Sequence, residues 1–160
     1  MKQKTIARAL IGAGGIAAAG IIALFFVYLP LLAGQLREAY PEYAGLYWPG
    51  LLDMWAIAAL FLLGLWEYFR VCVRIGRERS FCRENADSLR RIALYMAVSG
   101  ALWLGAIFVP PMFFHVSIGP FWIELALCAM AAEALGILAW GLGKLLERAI
   151  SLQEENDLTV

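Results

Sequence analysis

Charge is scarce in this chain: 16% of its 160 residues are Asp, Glu, Lys or Arg, and 13 basic side chains are balanced by 13 acidic ones. A formal charge of zero gives no general attraction for a phosphate backbone, so no direct nucleic-acid partner is expected. One histidine and three scattered cysteines leave no common zinc or disulfide framework. A nucleotide loop, a nucleophile elbow and an HExxH pattern are missing too, and the glycines between Gly12 and Gly15 sit inside an apolar run instead of after a strand. No catalytic, cofactor-binding or metal-ligating residues are therefore assigned, no cofactor is expected, and an enzyme is disfavoured. What the chain has in excess is apolar surface: 62% of residues are hydrophobic and mean hydropathy is +0.73, which is wrong for a water-exposed domain of this size.

The apolar residues fall into runs at Ile6 to Ala33, Leu51 to Val73, Ile92 to Phe114 and Phe121 to Leu142. Each reaches the roughly 20 residues that a helix needs to cross about 30 Å of hydrocarbon. The reading is an all-α integral membrane four-helix bundle, a single domain over 1–160 with a C-terminal tail outside the bilayer. The first run is too long for a signal peptide and ends in a poor cleavage sequence, so it is read as a retained span.

Basic residues orient the spans. Lys2, Lys4 and Arg8 open the first; Arg70, Arg74, Arg77, Arg79, Arg83, Arg90 and Arg91 crowd the link between the second and third; Lys144 and Arg148 follow the fourth. The first outer loop holds only Arg37, and the last, around His115, has no lysine or arginine. The positive-inside rule gives both termini in the cytoplasm. Tyr40, Tyr43, Tyr47, Trp48, Phe114, Phe121 and Trp122 fit the outer interface, and Trp66, Tyr68, Tyr95 and Trp140 the inner one. The outer loop from Gln35 to Gly50 reads as an irregular aromatic cap with turns at Pro41, Pro49 and Gly50. Pro110 and Pro111 mark the end of span three. Between Arg74 and Arg91 a turn at Gly76 and a short amphipathic cytoplasmic helix capped by Ser80 are expected, with arginines suited to anionic headgroups or to a protein partner.

Polar groups at membrane depth are the candidate sites. Glu133 falls near the middle of span four, with Ala126, Ala129, Met130, Gly136, Ile137 and Trp140 on its side of the helix. Its plain role is a protonated carboxyl hydrogen-bonded across the bundle or a dimer interface; its functional role is a proton or cation relay in a small coupled transporter. Asp53 and Glu67 lie too far apart on span two to act together, and Glu67 can pair with Arg70, Arg74 or Arg91. Asp53, His115 and Glu124 form a weaker outer polar grouping. Small residues from Gly12 to Gly20, and Gly100, Gly105, Gly136, Gly141 and Gly143 later, offer close-packing surfaces, and a homo-oligomer in the lipid bilayer follows naturally.

Two stretches carry more. They are GRERSFCRENADSLRRIA from Gly76 to Ala93, notably Gly76, Phe81, Glu84, Asn85, Leu89 and Arg90, and the tail LERAISLQEENDLTV from Leu146 to Val160. With four spans at this spacing the chain resembles the DUF2975 family of small bacterial membrane proteins, although Cys82 stands where a small hydroxyl residue is more typical. The resemblance implies a family of unknown function often encoded beside a small helix-turn-helix regulator, and it transfers no catalytic residues. It points to Arg83, Glu84, Asn85, Arg90, Glu154, Glu155, Asn156 and Asp157 as a cytoplasmic docking face for such a regulator. The competing expectation is that the acidic tail folds back as a clasp on the basic link. A regulatory or protein-interaction role is the leading reading.

Overall fold

The computed structural model describes residues 2–77, 79–114 and 122–158. Among these, four helical stretches are long and apolar enough to cross a membrane, as the sequence led us to expect. The first is built from α1 (Lys2–Ala23), a π-helical turn (Leu24–Tyr28) and α2 (Leu29–Ala39) in one line. The π turn has a local cause. Pro30 sits in the first turn of α2 and lacks an N–H, and widening the preceding turn lets the Leu29 N–H bond the Leu24 carbonyl.

The expected outer cap is more regular than the sequence suggested. Only Tyr40 breaks the helix, with φ −134° and ψ 85°, before a 3-10 turn (Pro41–Leu46) leads straight into α3 (Tyr47–Gly76). Pro49 starts a helix instead of stopping one, because it falls in the first turn, where N–H groups have no intrahelical partner. Arg37 lies over the Tyr47 ring at 5.3 Å and holds the two sides of this corner together.

The separate amphipathic helix expected between spans two and three is not present. Instead α4 (Arg83–Phe114) runs as one helix from the link through the span, carrying Pro110 and Pro111 within its last turns. Ser80 does not cap it; the Asn85 N–H returns to the Cys82 carbonyl at 3.0 Å and closes the first turn. The last helix, α5 (Trp122–Leu158), has 37 residues and spans about 55 Å, well beyond the roughly 30 Å of hydrocarbon. Its final turns therefore extend the span outward, and the tail does not fold back. His115, Phe121, Thr159 and Val160 lie outside the described residues.

The helices pack in sequence order: α1 on α3, α3 on α4, α4 on α5. Among the described residues no Cα of α1 comes within 8 Å of one in α4 or α5, so the bundle is open on that side. Close approach is made by small residues. Gly14 lies under Tyr68 and Phe69, whose ring atoms would be 2.8 Å from a Cβ there, and the Tyr68 hydroxyl donates to the Leu10 carbonyl at 3.0 Å. On α5 the buried positions Ala129, Ala132, Gly136, Ala139 and Gly143 follow a three-four alternation, with Ile150 a further seven residues on, and they face Leu89, Met96, Gly100 and Trp103 of α4. That alternation is the seam of a left-handed antiparallel pair. Phe25, Ile57, Ala58, Trp103, Ala129 and Ala132 form the core towards the other end.

Candidate functional site

The densest polar structure lies where the link joins α3 to α4. Glu67, Arg70 and Arg74 recur on one side of α3 at helical spacing, and Asn85, Ser88 and Arg91 do the same on α4, so packing the two helices brings the sets together. The Glu67 side chain is only 6% exposed. Its carboxylate accepts from Arg91 Nε at 2.8 Å and Nη2 at 3.0 Å, one oxygen each, and from Arg70 Nη1 at 3.3 Å. Burying a carboxylate costs several kcal/mol, about what a bidentate guanidinium and a second cation return, so the pair fixes register more than it adds stability.

Ser88, fully buried, accepts from Arg91 Nη2 at 3.2 Å and from Arg74 Nη1 at 3.0 Å. Arg74 Nη1 also reaches Asn85 Oδ1 at 3.3 Å and the Glu84 carbonyl at 3.2 Å. Asn85, 1% exposed, turns its amide to the link and donates to the Arg79 carbonyl at 3.2 Å and the Ser80 carbonyl at 3.0 Å. One continuous network thus ties α3, α4 and the backbone of the link. Arg91 and Arg70 share the one carboxylate, and Arg74 joins the network through Ser88 and Asn85 without a carboxylate of its own.

Around the lock lies a charged rim. Arg83 Nη2 donates to both oxygens of Glu154 at 3.0 and 2.9 Å, joining the start of α4 to the end of α5. Arg79 faces Glu84 at 3.6 Å, and Lys144 faces Glu147 at 2.8 Å. These pairs are exposed and contribute little to stability. They show that the acidic tail and the basic link do meet, with the tail continuing α5 as helix instead of folding back.

Comparison with known families matches residues 31–160 to the family described as protein of unknown function (DUF2975), a region that includes all of α3, α4 and α5. The chain belongs to the DUF2975 family. It is also 27% identical over 144 residues to the uncharacterized membrane protein YoaS of Bacillus subtilis (strain 168), covering 88% of each chain. No solved structure matches. This DUF2975 protein is a multi-pass membrane protein of the bacterial inner-membrane kind.

The geometry gives physical roles to residues that carry the DUF2975 resemblance. Gly76 is where α1 crosses the end of α3, with the Ala7 Cβ 3.2 Å from where a Cβ would stand. Leu89 packs on Gly143, with its Cβ 3.4 Å from the corresponding position. Asn85 holds the link from inside and is withdrawn from the surface, while Phe81 projects, 65% exposed. Arg83, Glu84, Arg90, Glu154, Glu155 and Asn156 are on the surface, and the side chain of Asp157 lies outside the described residues.

Glu133 is partly buried and lies across Gly100, so that a Cβ there would collide with its carboxylate. Its helix face differs from the expected one: Met130, Ile137 and Trp140 are exposed, and the small residues form the contact. In the outer grouping, Asp53 is partly buried on α3 and Glu124 is exposed in the first turn of α5, helices with no Cα approach within 8 Å; His115 lies outside the described residues. Sequence reasoning found Glu67 and its arginines but missed Ser88 and the inward role of Asn85. Their signal was the three-residue spacing of Asn85, Ser88 and Arg91.

Proposed function

We propose that this protein is a regulatory membrane protein that receives a cytoplasmic partner on its arginine-rich end. The reading rests on the buried lock of Glu67, Arg91, Ser88, Arg74 and Asn85, which presets the link so that a partner need not order it on binding. Arg83, Glu84, Arg90, Glu154, Glu155 and Asn156 are the contacting rim around the lock, and Asp157 is the further residue the family resemblance adds. The basic residues at the start of α1, in the link and after the fourth span support both termini and the link facing the cytoplasm. We read residues 1–160 as one domain with its last turns as a cytoplasmic extension, and the partner as the helix-turn-helix regulator that the family resemblance implies. A second copy of the chain is placed on α1, where nothing lies within 4 Å of a Cβ at Gly12, Gly15 or Gly20.

The test is photo-crosslinking in native membranes from positions 83 and 153, comparing the intact chain with one ending at Leu152 when the probe is at 83. A defined regulator captured by the intact chain, lost on truncation and on Asn85→Ala, supports the reading. Capture of self-copies alone in every form removes it.

One observation favours a second reading. No described side chain donates a hydrogen bond to the Glu133 carboxylate, although it lies at membrane depth between α4 and α5. A proton- or cation-coupled small transporter would use such a group. Loss of proton-dependent flux in Glu133→Gln with assembly unchanged would support it, and unchanged flux would remove it.

A further inference from the structure

Adjacent arginines at the start of α4 are used in opposite ways. Arg91 is engaged by Glu67 and Ser88, whereas Arg90 makes no hydrogen bond to a described residue and meets Glu147 only as a nearby opposite charge. Arg90 lines a cleft of about 120 Å³ between α4 and α5, together with Ala86, Trp140, Gly143, Lys144 and Glu147. The cleft exists because its floor is small: Gly143 and Ala86 let the helices meet backbone to backbone, with the Ala86 carbonyl 3.5 Å from where a Cβ on Gly143 would be. Trp140 stands beside it, 56% exposed, and further into the span on the same side α5 presents Ile137 and Met130, 66% and 67% exposed. The cleft is therefore charged at one end and continues into lipid-facing apolar surface at the other.

We propose that this cleft binds the headgroup of an anionic phospholipid from the leaflet at the arginine-rich end. The Arg90 guanidinium fork, which feels the Glu147 charge but spends no hydrogen bond on it, matches two oxygens of a phosphodiester, and with Lys144 paired to Glu147 the cleft keeps one net positive charge. Trp140 lies where an indole packs against the glycerol backbone, and Ile137 and Met130 carry the acyl chains. Glu147, which accepts from Lys144 Nζ at 2.8 Å, selects among headgroups. It repels a second anionic group and accepts hydrogen bonds from hydroxyls, so the fitting ligand is a phosphodiester carrying a short polyol, as in phosphatidylglycerol. The lipid source follows from the apolar strip, which a soluble phosphate ester would leave uncovered.

The experiment uses the full chain purified in dodecyl maltoside and titrated separately with phosphatidylglycerol, phosphatidylcholine and glycerol 1-phosphate, with bound species read by native mass spectrometry. Phosphatidylglycerol is expected to be retained when phosphatidylcholine is lost, and glycerol 1-phosphate is expected not to displace it. The double substitution Arg90→Gln, Lys144→Gln should weaken phosphatidylglycerol binding about tenfold or more, and Arg90→Lys should weaken it less. Arg37→Gln, at the far end of the molecule, should leave it unchanged. Both substituted side chains are exposed, and an unaltered melting temperature verifies that each variant is folded. Equal retention by the double variant, equal binding of phosphatidylcholine, or full displacement by glycerol 1-phosphate would each overturn the proposal.

Discussion

Glu67 is the residue on which the arginine-rich end depends, because its carboxylate answers Arg91 and Arg70 directly and Arg74 through Ser88. Glu67→Gln keeps the shape but leaves the arginines facing one another without a counter-charge. Arg91→Gln leaves a buried carboxylate with Arg70 alone. Each should lower stability by about 2–3 kcal/mol, and the double variant should lose less than the sum, as a double-mutant cycle by chemical unfolding in mixed micelles would measure. Asn85→Ala acts more locally, removing both amide donations to the link. Limited proteolysis should then cut between residues 77 and 82 faster than in the parent chain, while melting falls by about 1–2 kcal/mol of stability. Equal cutting rates would mean that the link is held by something other than Asn85.

Among the elements, α5 is the most instructive, since it is apolar around its circumference and gives no hydrophobic face to read. In lipid the buried face is the small one, and size, not polarity, distinguishes Ala129, Ala132, Gly136, Ala139 and Gly143 from Met130, Ile137 and Trp140. Gly136→Leu should therefore force α4 and α5 apart, because the Met96 Cβ already stands 3.2 Å from the site of the new Cβ. A loss of about 1–3 kcal/mol is expected, whereas Ile137→Ala on the lipid side should cost almost nothing. Thermal melting of the two variants side by side checks the pair; similar losses would mean that the seam is misplaced. The span positions were legible because hydropathy marks what enters a bilayer. The seam was legible in part, through Gly100, Gly136 and Gly143, but the π turn before Pro30 and the merging of the link helix into α4 were not, because they depend on backbone hydrogen bonds that composition does not encode. The lock was half legible: Glu67 surrounded by arginines announces an ion pair, but only the packing of α3 on α4 selects Arg91 and draws in Ser88.

At the scale of the whole molecule, the protein is a sequential stack in which α3 and α4 are central, α5 is zipped to α4, and the first span touches α3 closely and leaves the rest open. Its rigidity is unevenly distributed. One end is fixed by charge and hydrogen bonds, the other by Phe25, Trp103 and their apolar neighbours. A preset link and a continuous α5 should hold Phe81 and Leu152, both well exposed, at one fixed separation. Pulsed electron spin resonance between labels at positions 81 and 152, in lipid bilayers and with Cys82 and Cys128 replaced by serine, reads that separation. A single narrow distance distribution that broadens in Glu67→Gln is the expected result; a broad distribution in the parent chain would mean that the link is not preset and that the proposed docking face does not exist before a partner arrives.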